Sequence, residues 1–314
     1  MSIKTMYSIL SKIDNDFVNI MNNNLAPKTK TFDYVYHYTS IDSFMKIMQS
    51  NQLWFSHASF LNDPLEIAFG IDVIVNILEK KKDEYPIVLS IINKQRNIYK
   101  EMSLDLTRNL VFIFSFSEFS DKLSSWIQYG DDGYGVCLQF IQPLLMNKIS
   151  SQDTGYNNGI FFPIQYYSNE YLPNSNNIIG FNEAIIDYYK GMEIFINDEG
   201  MEKEPNVQRT LYEMTKSFAC FIKNDFHSDE KEWRYVIFSG VGDNNIIIVP
   251  AEHGAKMFYK VSFTNDKIIS LLNEIIIGPK HNNDPRIAAA LNVYVNQKQQ
   301  INYYFSFSKG ILRD

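Results

Sequence analysis

The chain has 314 residues, a formal net charge of −7 and a pI near 5.3, so it lacks the overall basic balance on which tight nonspecific nucleic-acid binding depends. Hydrophobic residues at 45% and charged residues at 21% fit a globular protein and argue against disorder, while the aromatic share, with 20 Tyr and 23 Phe, is high. No run approaches the ~18 apolar residues of a spanning helix, and the start MSIKTMYSIL lacks signal-peptide regions. Cys137 and Cys220 have neither metal-ligand spacing nor a disulfide framework. A reducing cytoplasm, without membrane association, is the expectation.

Ile3, Met6, Leu10, Ile13, Phe17 and Ile20 recur at steps of three and four, predicting an N-terminal helix over 3–20 that packs on the domain or makes a homodimer. Residues 1–30 read as this helix and a linker, and 31–314 as a single domain with helical insertions at about 64–105 and 181–223. The body opens with a strand at Tyr34–Tyr38. Thr39 and Ser40 then supply N-cap chemistry for a helix carrying Ile41, Phe44, Met45 and Met48. A strand follows at Leu53–Ser56. Asp63 as cap, Pro64 at the first helical position and Glu66 in the first turn predict a helix to about Lys80, with another over roughly 85–105.

Val111–Ser117 is a strong strand. A short helix over Lys122–Tyr129 runs into turn residues 130–135, and a strand returns at Gly135–Phe140. One strand, Ile160–Tyr167, lies within an Asn-rich loop region. Helices are expected at 181–195 and 207–223, then strands at Glu232–Phe238, Ile246–Val249, Tyr259–Phe263, Glu274–Ile277 and Tyr303–Phe307, with a last short helix from Asp284-Pro285. Strands and helices do not alternate regularly, which predicts an α+β fold.

Phosphate-loop, dinucleotide-loop, zinc-helix and nucleophile-elbow motifs are all missing from the sequence. Three polar elements sit on otherwise apolar strands. His37 lies in an aromatic strand, where its nitrogens need partners; alone, it reads as a satisfied, partly buried histidine. Ser115 and Ser117, two apart, share a strand face. Glu230 and Glu232 also share a face if the strand is extended there, and such a pair raises one pKa; alone, Glu230–Arg234 reads equally as a solvated charge run.

Tyr36–Thr39, Leu53–Ser56, Phe60–Glu66, Phe114–Ser117, Trp126–Gly130 with Gly135-Val136, Glu230–Arg234 and Ile275–Pro279 form an ordered set that resembles a bacterial domain-of-unknown-function family, number 2971, over about residues 33–310. Its name carries no activity. The order His37, Ser115-x-Ser117, Glu230-x-Glu232 is similar to the three-part signature of mono-ADP-ribosyltransferases. That second resemblance implies an ADP-ribosyltransferase-like mixed or antiparallel β core with helical insertions. It implies NAD as substrate, held by His37, Tyr38, Thr39, Ser115, Ser117 and Trp126. Glu232 would stabilise the oxocarbenium-like ribose and Glu230 would activate a macromolecular acceptor, as in a toxin or anti-phage defence effector. The sequence departs from that family in its helix-rich insertion before Ser115 and in having no glycine beside His37. Two alternatives stand beside it: a nucleotide-sensing module without turnover, and a metal-dependent hydrolase using Asp63, Glu66 and Glu232.

Overall fold

In the computed structural model, residues 15–17, 19–25, 32–61, 65–101, 110–152, 159–240, 242–251, 254–264 and 266–310 are described. Most of the expected 3–20 helix and the Asn62-Asp63-Pro64 helix start lie outside them. Phe17, Met21 and Leu25 are fully buried, and the Phe17 ring meets Phe218 edge-on at 4.7 Å.

Runs of β-branched and aromatic residues form the sheet strands: β1 Tyr34–Thr39, β2 Gln52–His57, β3 Leu110–Ser117, β4 Val136–Ile141, β5 Ile160–Pro163, β8 Glu232–Ser239, β9 Ile246–Ala251, β10 Gly254–Ser262, β11 Leu272–Ile277 and β12 Phe305–Phe307. Their order is β12-β11-β4-β1-β3-β2-β10-β9, with β8 on the other edge of β3 and β5 outside β8. Pairing is antiparallel except for β11 with β12, so the sheet is mixed. β6 Gln165–Tyr167 and β7 Ile222–Asn224 form a separate parallel pair.

Helices cover both faces, and the short α4, Leu123–Tyr129, follows β3. One core gathers α1 Ile41–Ser50, α5 Gln142–Gln152 and α8 Pro285–Gln299 against Phe55, Phe114, Phe116 and Phe140. The other gathers α2 Glu66–Glu79, α3 Pro86–Glu101, α6 Phe181–Asp198 and α7 Pro205–Ala219 against Ile113, Phe162 and Val236. This is an α+β architecture. No helix of the described residues is long and apolar enough to cross a membrane.

Three expectations are corrected. The helix predicted over 207–223 ends at Ala219, and Ile222–Asn224 instead pairs with Gln165–Tyr167. The helix after Asp284 runs for 15 residues, capped by the Asp284 side chain, and is not short. The strand predicted over 160–167 is broken into β5 and β6, which belong to different sheets.

The central feature is a fork. β1 and β2 are both antiparallel to β3 and use the same edge of it. β1 reaches that edge only at Ser117, through Tyr36; β2 reaches it only at Phe112 and Ile113, through His57 and Ser56. Over Phe114–Phe116 that edge has no strand partner. Helix α1 joins the diverging ends, anchored by the Ser40 cap at its start and by Asn51 in the left-handed region at its end.

Candidate functional site

The fork opens into a cavity of about 1100 Å³. Its lining includes His37, Tyr38, Thr39, Ser115, Ser117, Glu230 and Glu232.

The side chains enter from different faces. Across β3 and β8, Ser115 pairs with Arg234 and Ser117 with Glu232, so these four share one face. Phe114 and Phe116 occupy the other, and the His37 ring lies over Phe114, with centroids 4.3 Å apart. His37 is therefore on the opposite face of the sheet from Glu232 and meets the cavity through the fork. Its Nδ1 lies 3.0 Å from the Ser115 carbonyl. A carbonyl only accepts, so Nδ1 carries the proton. Burial lowers the His37 pKa to about 4, against the opposing pull of that carbonyl, so the neutral ring presents Nε2 as an acceptor.

Glu232 and Glu230 are not arranged as expected. Glu230 ends a 3-10 turn, Asp225–Glu230, and Lys231 is left-handed (φ 45°, ψ 53°), so the two glutamates do not stand two apart on one extended strand. Their carboxylates nevertheless converge on one cation. Lys223 Nζ donates to Glu230 Oε2 at 2.7 Å and to Glu232 Oε2 at 3.2 Å. Arg234 donates through Nε to Glu232 Oε1 at 2.7 Å and through Nη2 to Oε2 at 3.1 Å, while Nη1 reaches Glu66 and the Cys220 carbonyl. The Ser115 hydroxyl adds a bond to the Glu232 carboxylate.

The expected rise of one glutamate pKa is reversed at Glu232. Burial alone would raise it, but Arg234 and Lys223 hold this carboxyl well below the ordinary range. Lys223 moves the other way: burial would lower it, and Glu232 and Glu66 together push it up. His227 Nδ1 lies 3.1 Å from Glu230 Oε1. Tyr129 lines the cavity nearby, its hydroxyl kept neutral by burial and by the charges of Glu230 and Glu232. Three carboxylates and two cations thus sit together against the cavity, four of the five almost fully buried.

The remaining predicted residues hold the frame. The Tyr38 hydroxyl donates to the Phe119 carbonyl at 2.8 Å and accepts from Lys122 N at 3.0 Å, so only its ring serves the cavity. Ser117 Oγ donates to the Glu230 carbonyl at 3.1 Å and accepts from Phe119 N at 3.2 Å. Thr39 is buried. Trp126 is not among the lining side chains: it is fully buried against Tyr38, Cys137 and Ile276, with Nε1 donating to Asp121 at 2.7 Å.

Sequence reasoning missed Lys223, and it reached Glu66 only as a helix-start acid or as a metal ligand of the hydrolase alternative. Among the described residues no group of three or more His, Cys, Asp or Glu has metal-holding geometry, and Glu66 and Glu232 are bridged by Arg234 instead. Asp63 lies outside the described residues.

Residues 125–235 match the model of a family described as "Protein of unknown function (DUF2971)". The match covers about a third of the chain and supports the domain-of-unknown-function resemblance. It takes in Tyr129, Lys223, Glu230, Glu232 and Arg234, and leaves His37, Glu66 and Ser115 outside. No curated protein and no solved structure matches the chain.

Proposed function

We propose that the chain is an NAD-consuming transferase of the ADP-ribosyltransferase-like kind. One observation carries the reading: His37, the Ser115–Ser117 pair and the Glu230–Glu232 pair, from three distant parts of the sequence, line one cavity where β1, β3 and β8 adjoin.

In this reading the bond between nicotinamide and ribose breaks, its electron pair leaves with nicotinamide, and positive charge develops on the sugar. A fixed carboxylate in a water-poor pocket stabilises that charge as it forms. Glu232 is so placed, and Arg234 keeps it ionised. Nε2 of His37 accepts a ribose hydroxyl hydrogen. Glu230 takes the proton of the incoming acceptor, whose oxygen or nitrogen then bonds to the ribose carbon. For Glu232 to receive a sugar hydroxyl, Ser115 or Lys223 yields its place, and Lys223 retains Glu66 and Glu230 as partners.

That crowding favours a second reading as well. A carboxylate whose oxygens already accept from Arg234, Lys223 and Ser115 also serves as the wall of a binding module without turnover.

The test is calorimetry with NAD together with measurement of free nicotinamide, on wild type and Glu232→Gln. The transferase reading expects NAD binding in both proteins and nicotinamide release at least ~100-fold slower in the variant, the scale of losing one stabilising group. Binding without release in wild type selects the binding module. Absence of both at millimolar NAD removes the proposal.

A further inference from the structure

Trp54 has no part in the three elements above, yet it also lines the cavity. It is 39% exposed, whereas Trp126 and Trp233 are 0% and 3% exposed. A large apolar ring left open at a cavity wall is a surface waiting for a flat partner. Its orientation is fixed: Nε1 donates to Gln52 Oε1 at 3.0 Å, two residues earlier on the same strand face. Phe258, which also lines the cavity, stands opposite Ser56 on β10, with its ring centroid 5.7 Å from that of Trp54 at 47°. The two rings make an aromatic corner whose polar edge is already satisfied, leaving π-faces to act.

The corner also stands at a useful distance from the carboxylates. Ser56 pairs with Ile113 where β2 joins β3, and Trp54 lies two residues earlier on β2 on the same face. From β2 across β3 to β8 is two strand spacings, ~10 Å before the fork widens them. A single nucleoside, with its base bonded directly to its sugar, is too short to occupy both ends. Two nucleosides joined by a short bridge are not.

We propose that Trp54 and Phe258 are the stacking platform for a nucleobase, so that the cavity takes a dinucleotide with one base at β2 and its reacting sugar at β8. The sugar end rests on the NAD reading above; the base end does not. Every base has a π-face, so the platform favours a flat heteroaromatic ring; Ser56, which lines the cavity opposite Phe258, is the hydroxyl beside it.

Tryptophan fluorescence of the full chain reads this site, because the other two indoles are buried. AMP, ADP-ribose and ribose 5-phosphate are titrated, with calorimetry in parallel. AMP and ADP-ribose should quench saturably and ribose 5-phosphate should not. By calorimetry, Trp54→Leu should weaken AMP about 5- to 100-fold, the cost of losing one base-stacking ring, and Trp54→Phe should restore most of it. An unchanged urea midpoint in Trp54→Leu shows that folding is intact. AMP binding without nicotinamide release would leave the platform standing and remove the transferase reading. No quenching by AMP or ADP-ribose in wild type, or AMP binding in Trp54→Leu equal to wild type, overturns the platform.

Discussion

Arg234 grips Glu232 by both carboxylate oxygens from two residues further along β8, and with its remaining nitrogen reaches Glu66 on α2. One guanidinium thus ties the sheet to the helical layer at the point where the cavity is charged. The planar fork suits this task, since it offers two parallel donors to one carboxylate and a third in another direction.

Arg234→Ala should therefore cost about 3–5 kcal/mol, because it leaves two buried carboxylates with Lys223 as their one cation. Arg234→Lys keeps the charge but loses the fork, and should fall between the variant and wild type. Urea denaturation at pH 7 measures both. A loss below about 1 kcal/mol for Arg234→Ala would show that the cluster rearranges at little cost.

Lys223→Met should show a pH signature. Glu66 and Glu232 are then left with Arg234, and Glu230 with His227. Taking up a proton relieves the repulsion, so the folded variant binds protons more readily than its unfolded chain. Stability then rises as pH falls. The deficit against wild type should be largest near pH 7–8 and shrink toward pH 5, followed by denaturant midpoints across that range.

His57 predicts the opposite slope in the wild-type chain. Burial first, and the charge of Lys216 second, lower its pKa from 6.5 to about 4. Between those values the unfolded chain binds a proton that the folded one refuses. The His57 contribution is therefore present above pH 6.5 and lost as pH falls toward 4, on the order of 3 kcal/mol for this buried ring. His37, lowered likewise, adds a contribution of the same sign. His57→Asn, whose side-chain oxygen takes over the bond from Ser59 N, should flatten the slope between pH 6.5 and 4.

Trp126→Phe should lower stability by about 1–3 kcal/mol, since the Asp121 carboxylate loses a buried donor, while leaving ligand affinity within about twofold of wild type. A loss of ligand affinity at unchanged stability would return Trp126 to the site.

Gly135→Ala is the sharpest steric test. A Cβ there would collide with the Thr39 carbonyl and stand 2.8 Å from the Gly130 carbonyl, both backbone atoms that cannot swing away. A loss of about 1–3 kcal/mol follows from such overpacking, read as a drop in thermal midpoint.

The three site-bearing strands were legible because aromatic and β-branched runs mark them locally: Val111–Ser117 is read within one residue of β3. The face taken by His37 was not, because it depends on how β1 meets β3 some 80 positions away, and alternation within one strand does not carry that register. Lys223 was hidden for a related reason. Residues 207–223 fit a helical pattern, and only pairing with Gln165–Tyr167 turns 222–224 into a strand that aims the lysine at the glutamates. Glu66 entered only through the metal-hydrolase alternative, because the acidic first turn of a helix says nothing about where its carboxylate points.

The fork in the sheet has one more consequence. Antiparallel strands turn the N–H and C=O of each residue toward the same neighbour, so the Ser115 amide faces the opening along with the carbonyl that His37 holds. Main-chain groups survive every side-chain replacement. Substitutions around the rim can alter which molecule is preferred. Erasing the opening itself would require two strands to be rezipped along one edge, with the helix between them displaced. Among related chains, ligand preference should therefore drift far more readily than the existence of a place for a ligand.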